Sequence, residues 1–456
     1  MTRRILTAAF LVTALQLPHR TALAFSLAEE LDMEFRRAFT ATPNLDTNDG
    51  TTVVGAATAV PLLERLQVRG ADFPVTGTSP GFAFRWDPET GGFQQVESSL
   101  GPVFAERADT LGRKRFDIGV SYLFARLTEV QGKDLNSTGD DLASVFSGVG
   151  TTLSAGSSAT GTPIDRRIFV NEFALEHHIV NLSATYGLSD HVDVNLLIPL
   201  IGTRLIFKGQ SIRCVNPTAS GGGITCDNSD IRRSFNLDDS REGFGDIQIR
   251  GKYQFAESAG FKFAGGIAFR IPSGNEDNFQ GIGDLTVTPS IIASRQFGKN
   301  DLHFAGGLEL NGGDLGQSRG RYALGATIQP LTVHPLDKVA LLVDFIGNSS
   351  FLDDRFEIVT PGGCKKGTAV GGASSFCEGA NSGVPGIRAP AQADAATGTT
   401  THFLFVPRTD IIDVATGFKF VVIPGRSVAY LGVIYPLNDS GLRAQVIPTA
   451  TIEATF

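Results

Sequence analysis

The sequence predicts an all-β chain, a closed antiparallel transmembrane β-barrel of about twelve strands (12–14), preceded by an N-terminal segment. Three observations lead there. The chain ends on an alternating run that closes on an aromatic: Leu442, Ala444, Val446, Pro448, Ala450, Ile452, Ala454 and Phe456 share one face, and Arg443, Gln445, Thr449, Thr451, Glu453 and Thr455 the other, with Ile447 alone out of place. Neighbouring side chains of a strand point to opposite faces, so one face is apolar and the other polar. Similar runs recur from about residue 116 to the end, separated by turn residues. The links between them alternate in length, short then long.

The elements follow in order. Arg3 and Arg4, an apolar stretch over 5–17 and Ala22-Leu23-Ala24 have the layout of a secretory signal peptide over 1–24, cleaved before Phe25. That apolar stretch is shorter than the roughly 20 residues a spanning helix needs. Residues 25–115 form a second region. Within it, 27–38 has helical character, and 81–97 reads as a hairpin around Asp87-Pro88-Glu89-Thr90-Gly91-Gly92. This region is expected as a plug in the barrel lumen, with a periplasmic extension or extra strands as the alternatives.

The barrel itself is expected over 116–456. Strands are read at 116–130, 168–188, from 192 onward, 247–255, 261–271, 282–297, 300–312, 320–332, 337–349, 404–423, 427–437 and 441–456. Ending on Phe456 resembles the C-terminal assembly signal of Gram-negative outer-membrane barrels, read by the barrel-assembly machinery. With that end periplasmic, the periplasmic links fall at Ser189-Asp190, Glu257-Ser258-Ala259, Gly298-Lys299-Asn300, His334-Pro335-Leu336 and Pro424-Gly425. The external links fall near 131–167, 208–243, 273–281, 313–319 and 350–403, with a tight turn at Asn438-Asp439-Ser440. Short periplasmic turns and long external loops are the pattern of such barrels. Most links are too short to hold a crossover helix, which disfavours a parallel α/β sheet. A propeller or large sandwich is the soluble alternative.

Composition agrees. In 456 residues there are 53 Gly and 33 Phe against 2 Met and 1 Trp, an unusual balance for a soluble enzyme. Mean hydropathy is only +0.05, because alternation hides hydrophobicity from an average. A formal net charge of −8 argues against a nucleic-acid partner. The expected partner of the apolar outer face is outer-membrane lipid. Cys214 with Cys226 and Cys364 with Cys377 bracket Gly/Ser/Thr-rich loop sequence. In an exported chain, two local pairs read most simply as two disulfides. Neither pair has the spacing or the nearby histidines of a zinc site, so no metal and no cofactor is expected.

The inward face is expected to carry Asp193, Arg250, Lys252, Lys262, Arg270, Glu309, Asp344, Asp413, Lys419, Arg443 and Glu453. Mixed charge there reads either as the lining of a pore or as acid–base ladders that hold a narrow barrel together. An outer-membrane hydrolase is the rival of another class. Asp190-His191 falls in a periplasmic turn, and His177 and His178 point to opposite faces. Ser183 shares a face with His177 but lies about 20 Å away along the strand, too far for a nucleophile and its base. A structural or adhesin-like barrel acting through its external loops is the third reading.

Several stretches resemble one family. Tyr186-Gly187-Leu188-Ser189-Asp190-His191-Val192-Asp193-Val194 is similar to its Gly-Leu-Thr/Ser-Asp turn. Gly243-Phe244-Gly245-Asp246-Ile247, leading to Lys252-Tyr253-Gln254-Phe255, resembles its Gly-x-Gly-Asp strand start. Ile271-Pro272-Ser273-Gly274-Asn275 followed by Gly281-Ile282-Gly283-Asp284 resembles its Pro-Thr/Ser-Gly loop and the next strand start. These are features of the outer-membrane transporter-like barrels named after the meta-cleavage pathway of phenol degradation, distantly similar to long-chain fatty-acid channels. The resemblance spans roughly 115–456 and weakens at the Cys-bearing insertions. It implies a barrel that passes small hydrophobic or aromatic molecules without an energy source.

Overall fold

The structure is a computed structural model. It describes residues 25–39, isolated stretches between 73 and 100, 102–134 save 131, 136, 153–157, 163–214, 218–220, 223–225, 231–351 save 299, 314 and 334–335, 354–361, 392–394, 399–406 and 410–456.

Twelve described strands form one closed ring. They are β1 (Phe116–Val130), β2 (Pro163–Ser189), β3 (Val192–Cys214), β4 (Ile231–Phe244 continued by Ile247–Ser258), β5 (Phe261–Ile271), β6 (Thr286–Phe297), β7 (Asn300–Asn311), β8 (Arg319–Val333), β9 (Leu336–Ser350), β10 (Asp410–Ile423), β11 (Ser427–Pro436) and β12 (Leu442–Ala444 continued by Ile447–Thr455). Each pairs antiparallel with the next, and β12 returns to β1 to close the sheet. The seam is made at the last residue. Phe116 N donates to Phe456 O at 3.1 Å, and Phe456 N donates to Phe116 O at 2.7 Å. Thr455 Oγ1 donates to Asp117 Oδ1 at 2.6 Å just inside it. Closure leaves this ring without the unpaired edges that the hydrocarbon layer forbids.

The short links gather at the end where the seam lies. Ala259 and Gly260 both have positive φ (51° and 78°), the geometry of a two-residue hairpin turn whose twist suits the strands. That turn sits one residue later than the sequence suggested, because Ser258 still pairs with Phe261. Gly298 (φ 65°) and Gly425 (φ 67°) supply the same left-handed backbone in two other turns.

Around the ring, alternate residues turn outward and form an apolar belt. Leu182, Leu196, Ile249, Ile267, Ile291, Leu302, Leu324, Phe418, Leu431 and Ile452 are all exposed. Their neighbours Thr185, Asn195, Arg250, Ser294, Thr327, Asp344, Lys419 and Thr451 are buried inside. A greasy outside and a wet inside is the arrangement of a membrane barrel, and the belt is the face that meets lipid.

Two strand expectations are corrected. The loop expected at 208–243 is mostly strand: β3 runs on to Cys214 and β4 starts at Ile231, paired from Ile231↔Arg213 to Phe244↔Leu200. The strand expected from 404 begins at Asp410, and Thr399–Val406 instead pairs with Asp354–Pro361 and Gln392–Asp394 in a separate small sheet. The terminal strand also departs from its simple pattern. It breaks between Ala444 and Ile447, and Leu442 and Ala444 are buried in the apolar core rather than facing lipid. Ile447, the one residue out of place in the sequence, points inward at 3% exposure.

As a result the rim is uneven. β5 ends at Ile271, opposite Ile247 of β4, whereas β2, β3 and the first part of β4 climb further as a three-strand wall. The wall begins at a β-bulge. Phe244 faces Leu200 but Gln248 faces Leu197, so β4 carries one extra residue between them. Gly245 sits in the bulge because a Cβ there would lie 2.7 Å from Ile201 Cδ1 and 2.9 Å from Pro199 Cβ. Before β1, helix α1 (Leu27–Phe39) lies against this wall, and a small hairpin pairs Phe84–Asp87 with Gly92–Gln95.

Candidate functional site: the barrel lumen and the segment inside it

Residues 102–112 run through the interior of the barrel. Val103, Ala105, Arg107, Ala108 and Leu111 are almost wholly buried. Backbone buried away from water must find partners. Gly77 N donates to Val103 O at 2.7 Å, and many of the other partners are side chains. The inner face provides them. Asp344 Oδ2 accepts from the amides of Val103, Phe104 and Ala105 at 3.4, 3.0 and 3.3 Å. Ser294 Oγ accepts from Ala108 N at 2.8 Å, and Asp193 Oδ2 from Leu111 N at 2.8 Å. Lys252 Nζ donates to Arg107 O at 3.0 Å, and Lys262 pairs with Asp109. At the turn end, Thr110 Oγ1 donates to Asp190 O, and Lys114 N to Gly187 O. Two glycines make room. A Cβ on Gly325 would lie 2.7 Å from Ala105 Cβ, and one on Gly187 would overlap the Gly112 carbonyl.

The eleven charged residues singled out in the sequence therefore divide in two. Asp193, Asp344, Lys252 and Lys262 hold the internal segment. The rest tie strand to strand. Arg443 meets Asp413 at 2.7 Å, and Lys419 meets Glu453 at 3.3 Å. Arg270 meets Asp246 at 2.9 Å, Glu309 takes Arg319 at 2.7 Å and Arg321 beside it, and Arg250 Nε donates to Asn195 Oδ1 at 2.9 Å. Asp246, Arg319, Arg321, Arg107 and Asp109 escaped the sequence reading. Asp246 looked like a turn residue, the two arginines stand where a loop becomes a strand, and 102–112 has no periodicity to assign a face.

Asp246 explains the loop motif. The bulge turns it inward, where it accepts from Gly274 N (3.0 Å), Ile282 N (2.9 Å) and Arg270 Nε (2.9 Å). It thereby pins the 273–283 link over the rim. Gly274 and Gly281 are required because a Cβ on either would run into the other strand of that link. In the same link, burial and then Asp277, Asp284 and Asp246 raise the Glu276 carboxyl above its ordinary range. On α1, burial and then Asp239 raise Glu30, while Arg241 pulls it down.

Below this rim lies a cavity of about 240 Å³. Its lining includes the apolar Phe73, Phe104, Ile179, Ile201 and Ile346 and the charged Arg250, Arg270, Arg321, Glu309 and Asp413. The residues weighed for hydrolysis are scattered. His177 is buried beside Thr203 Oγ1 (3.2 Å) and the Phe73 ring. His178 faces outward and meets the Tyr122 hydroxyl at 2.8 Å. Ser183 Oγ donates to Gly119 O, and His191 sits in an exposed turn. Of the cysteines, Cys214 ends β3, while Cys226, Cys364 and Cys377 lie outside the described residues, as do 1–24.

Comparison with known proteins adds the following. No curated protein matches the chain. An outer-membrane channel from Pseudomonas putida F1 aligns over 76% of this chain and 98% of its own at 9% identity, with a TM-score of 0.40. A FadL homologue from Pseudomonas aeruginosa aligns over 75% and 90% at 8% identity with a TM-score of 0.29, and the CymD monoaromatic hydrocarbon channel over 76% and 89% at 10% identity with a TM-score of 0.26. In sequence, residues 154–331 match the family described as "Putative MetA-pathway of phenol degradation", the same family that the Gly-Leu-Ser-Asp and Gly-x-Gly-Asp stretches resemble, and the matched span contains all of those stretches.

Proposed function

We propose that this barrel is an outer-membrane channel for the passive passage of small apolar or aromatic molecules, held nearly closed by residues 102–112. The observation that carries the reading is the lumen itself. A cavity of about 240 Å³, lined in part by apolar residues, lies inside a lipid-facing belt beside the largely buried residues 103–111. An apolar cavity of roughly 150 Å³ already admits benzene, so a single ring fits. The charged residues of the lining are paired strand to strand, which keeps the cavity wet without making it strongly selective for either sign. Eleven inward charges, on this reading, line and brace the pore together with their newly seen partners.

Cells with and without the gene, supplied with a labelled monoaromatic hydrocarbon at low concentration, test this. Uptake is expected to slow several-fold without the gene; superimposable uptake curves would contradict it. The separate sheet of Asp354–Pro361, Gln392–Asp394 and Thr399–Val406 favours a second reading, an external surface for adhesion. Removing 354–406 and finding uptake intact but surface attachment lost would select that role for the external region.

A further inference from the structure

The inner face of the wall is apolar, and α1 covers it. Leu27, Ala28 and Leu31 of the helix share one buried cluster with Phe207, Phe235, Leu237 and Phe279. The helix packs on Ile231–Phe244, on β3 and on the short helix Glu276–Asn278. Three polar ties to the barrel lie at its first turn. Arg241 Nη2 donates to Phe25 O and to Glu30 Oε1, both at 2.7 Å, and Leu27 N donates to Asn278 Oδ1 at 3.1 Å. Its own start is a capping box: Ser26 Oγ accepts from Glu29 N, and Glu29 Oε2 from Ser26 N.

A 13-residue helix is marginal by itself in water, so its order depends on this seat. The seat is also full: Leu27, Leu31 and Phe279 are 0% exposed, and Phe207 is 1% exposed. Phe73, Phe104 and Ile201 belong both to this cluster and to the lining of the cavity. An apolar surface thus runs without a break from beneath α1 into the lumen.

We propose that α1 is a displaceable lid and that its seat on Phe207, Phe235 and Leu237 is a docking site for apolar ligands of one or two aromatic rings. Ligand and helix compete for the same surface, because no room is left for both. Arg241 and Asn278 are the latch that sets how readily the helix gives way. This rests on the channel reading, since the docked ligand is the one that next reaches the cavity.

The test is hydrogen exchange of 27–39 in the full-length barrel in lipid nanodiscs, with naphthalene as the probe. Saturating naphthalene is expected to speed exchange there about tenfold. Arg241→Met should raise exchange without ligand and lower the half-saturating naphthalene concentration at least about tenfold, since both of its hydrogen bonds to the helix end are lost. Heat-modified gel mobility establishes that each variant barrel is folded. Phe235→Ala should blunt the naphthalene response. Exchange that is unchanged or slowed by naphthalene overturns the proposal, as does an undiminished response in Phe235→Ala. Naphthalene uptake by cells separates the two readings. Uptake without helix release removes the docking site and leaves the channel; helix release without gene-dependent uptake removes the channel and leaves the docking site.

Discussion

The ring and the wall above it are made of the same strands with opposite polarity. In the ring, Leu182, Leu196 and Leu431 face out, and Thr185, Asn195 and Lys419 face in. Further along β2, β3 and β4 the inner face becomes Phe173, Leu175, Leu205, Phe207, Phe235 and Leu237. The outer face becomes a ladder of charges. Arg126 meets Glu172 and Glu176, Arg204 meets Glu176 and Asp238, and Lys208 meets Glu172 and Asp238, at 2.8–3.4 Å. Tyr122, Phe124 and His178 cluster on the outer face at the changeover, where a girdle of aromatic rings suits the membrane surface. The strand does not change at this level; its surroundings do. Where lipid lies outside, burial favours apolar residues outward, and where water lies outside, it favours them inward.

Substitutions can break or sharpen this contrast. The largest effect is expected inside the ring. Glu453→Gln removes the carboxylate that meets buried Lys419 at 3.3 Å, and breaking a buried pair costs up to about 3–5 kcal/mol. On the wall the equivalent damage is apolar. Phe207 stacks on Phe235 at 4.6 Å and meets Phe173 edge-on at 6.1 Å, so Phe207→Ala should cost about 3–5 kcal/mol through lost burial and a cavity. Leu431→Arg puts a charge in the lipid belt and should cost about 2–4 kcal/mol. Asn236→Arg, also outward but on the wall, should stay within about 0.5 kcal/mol. Denaturant unfolding of the folded barrel in bilayers measures all four. Equal costs for Leu431→Arg and Asn236→Arg would mean that both levels meet the same medium.

The same contrast explains what the sequence could and could not reveal. Alternation with apolar residues outward made the ring legible, its strand number and the gathering of its short links at one end included. The helix at 27–39 and the hairpin before β1 were readable from local pattern as well. The part of the wall from 208 to 243 was read as loop because Ile231–Phe244 places Arg232, Asp238 and Asp239 among its apolar residues, the reverse of a lipid-facing strand. The bulge at Gly245-Asp246 then shifts the phase by one, so no single parity describes β4. In the lumen, the charged positions were legible but their partners were not. Asp193 and Asp344 hold amides of a non-periodic segment, and backbone amides leave no trace in a side-chain pattern.

Residues 102–112 bear the central claim, that the lumen is closed by the chain's own N-terminal region. Single-channel conductance in planar bilayers tests it most directly, comparing the whole barrel with one lacking 25–110. The account predicts small, brief openings for the intact chain and a several-fold larger, steady conductance for the shortened one. Equal conductance from two folded barrels would contradict it.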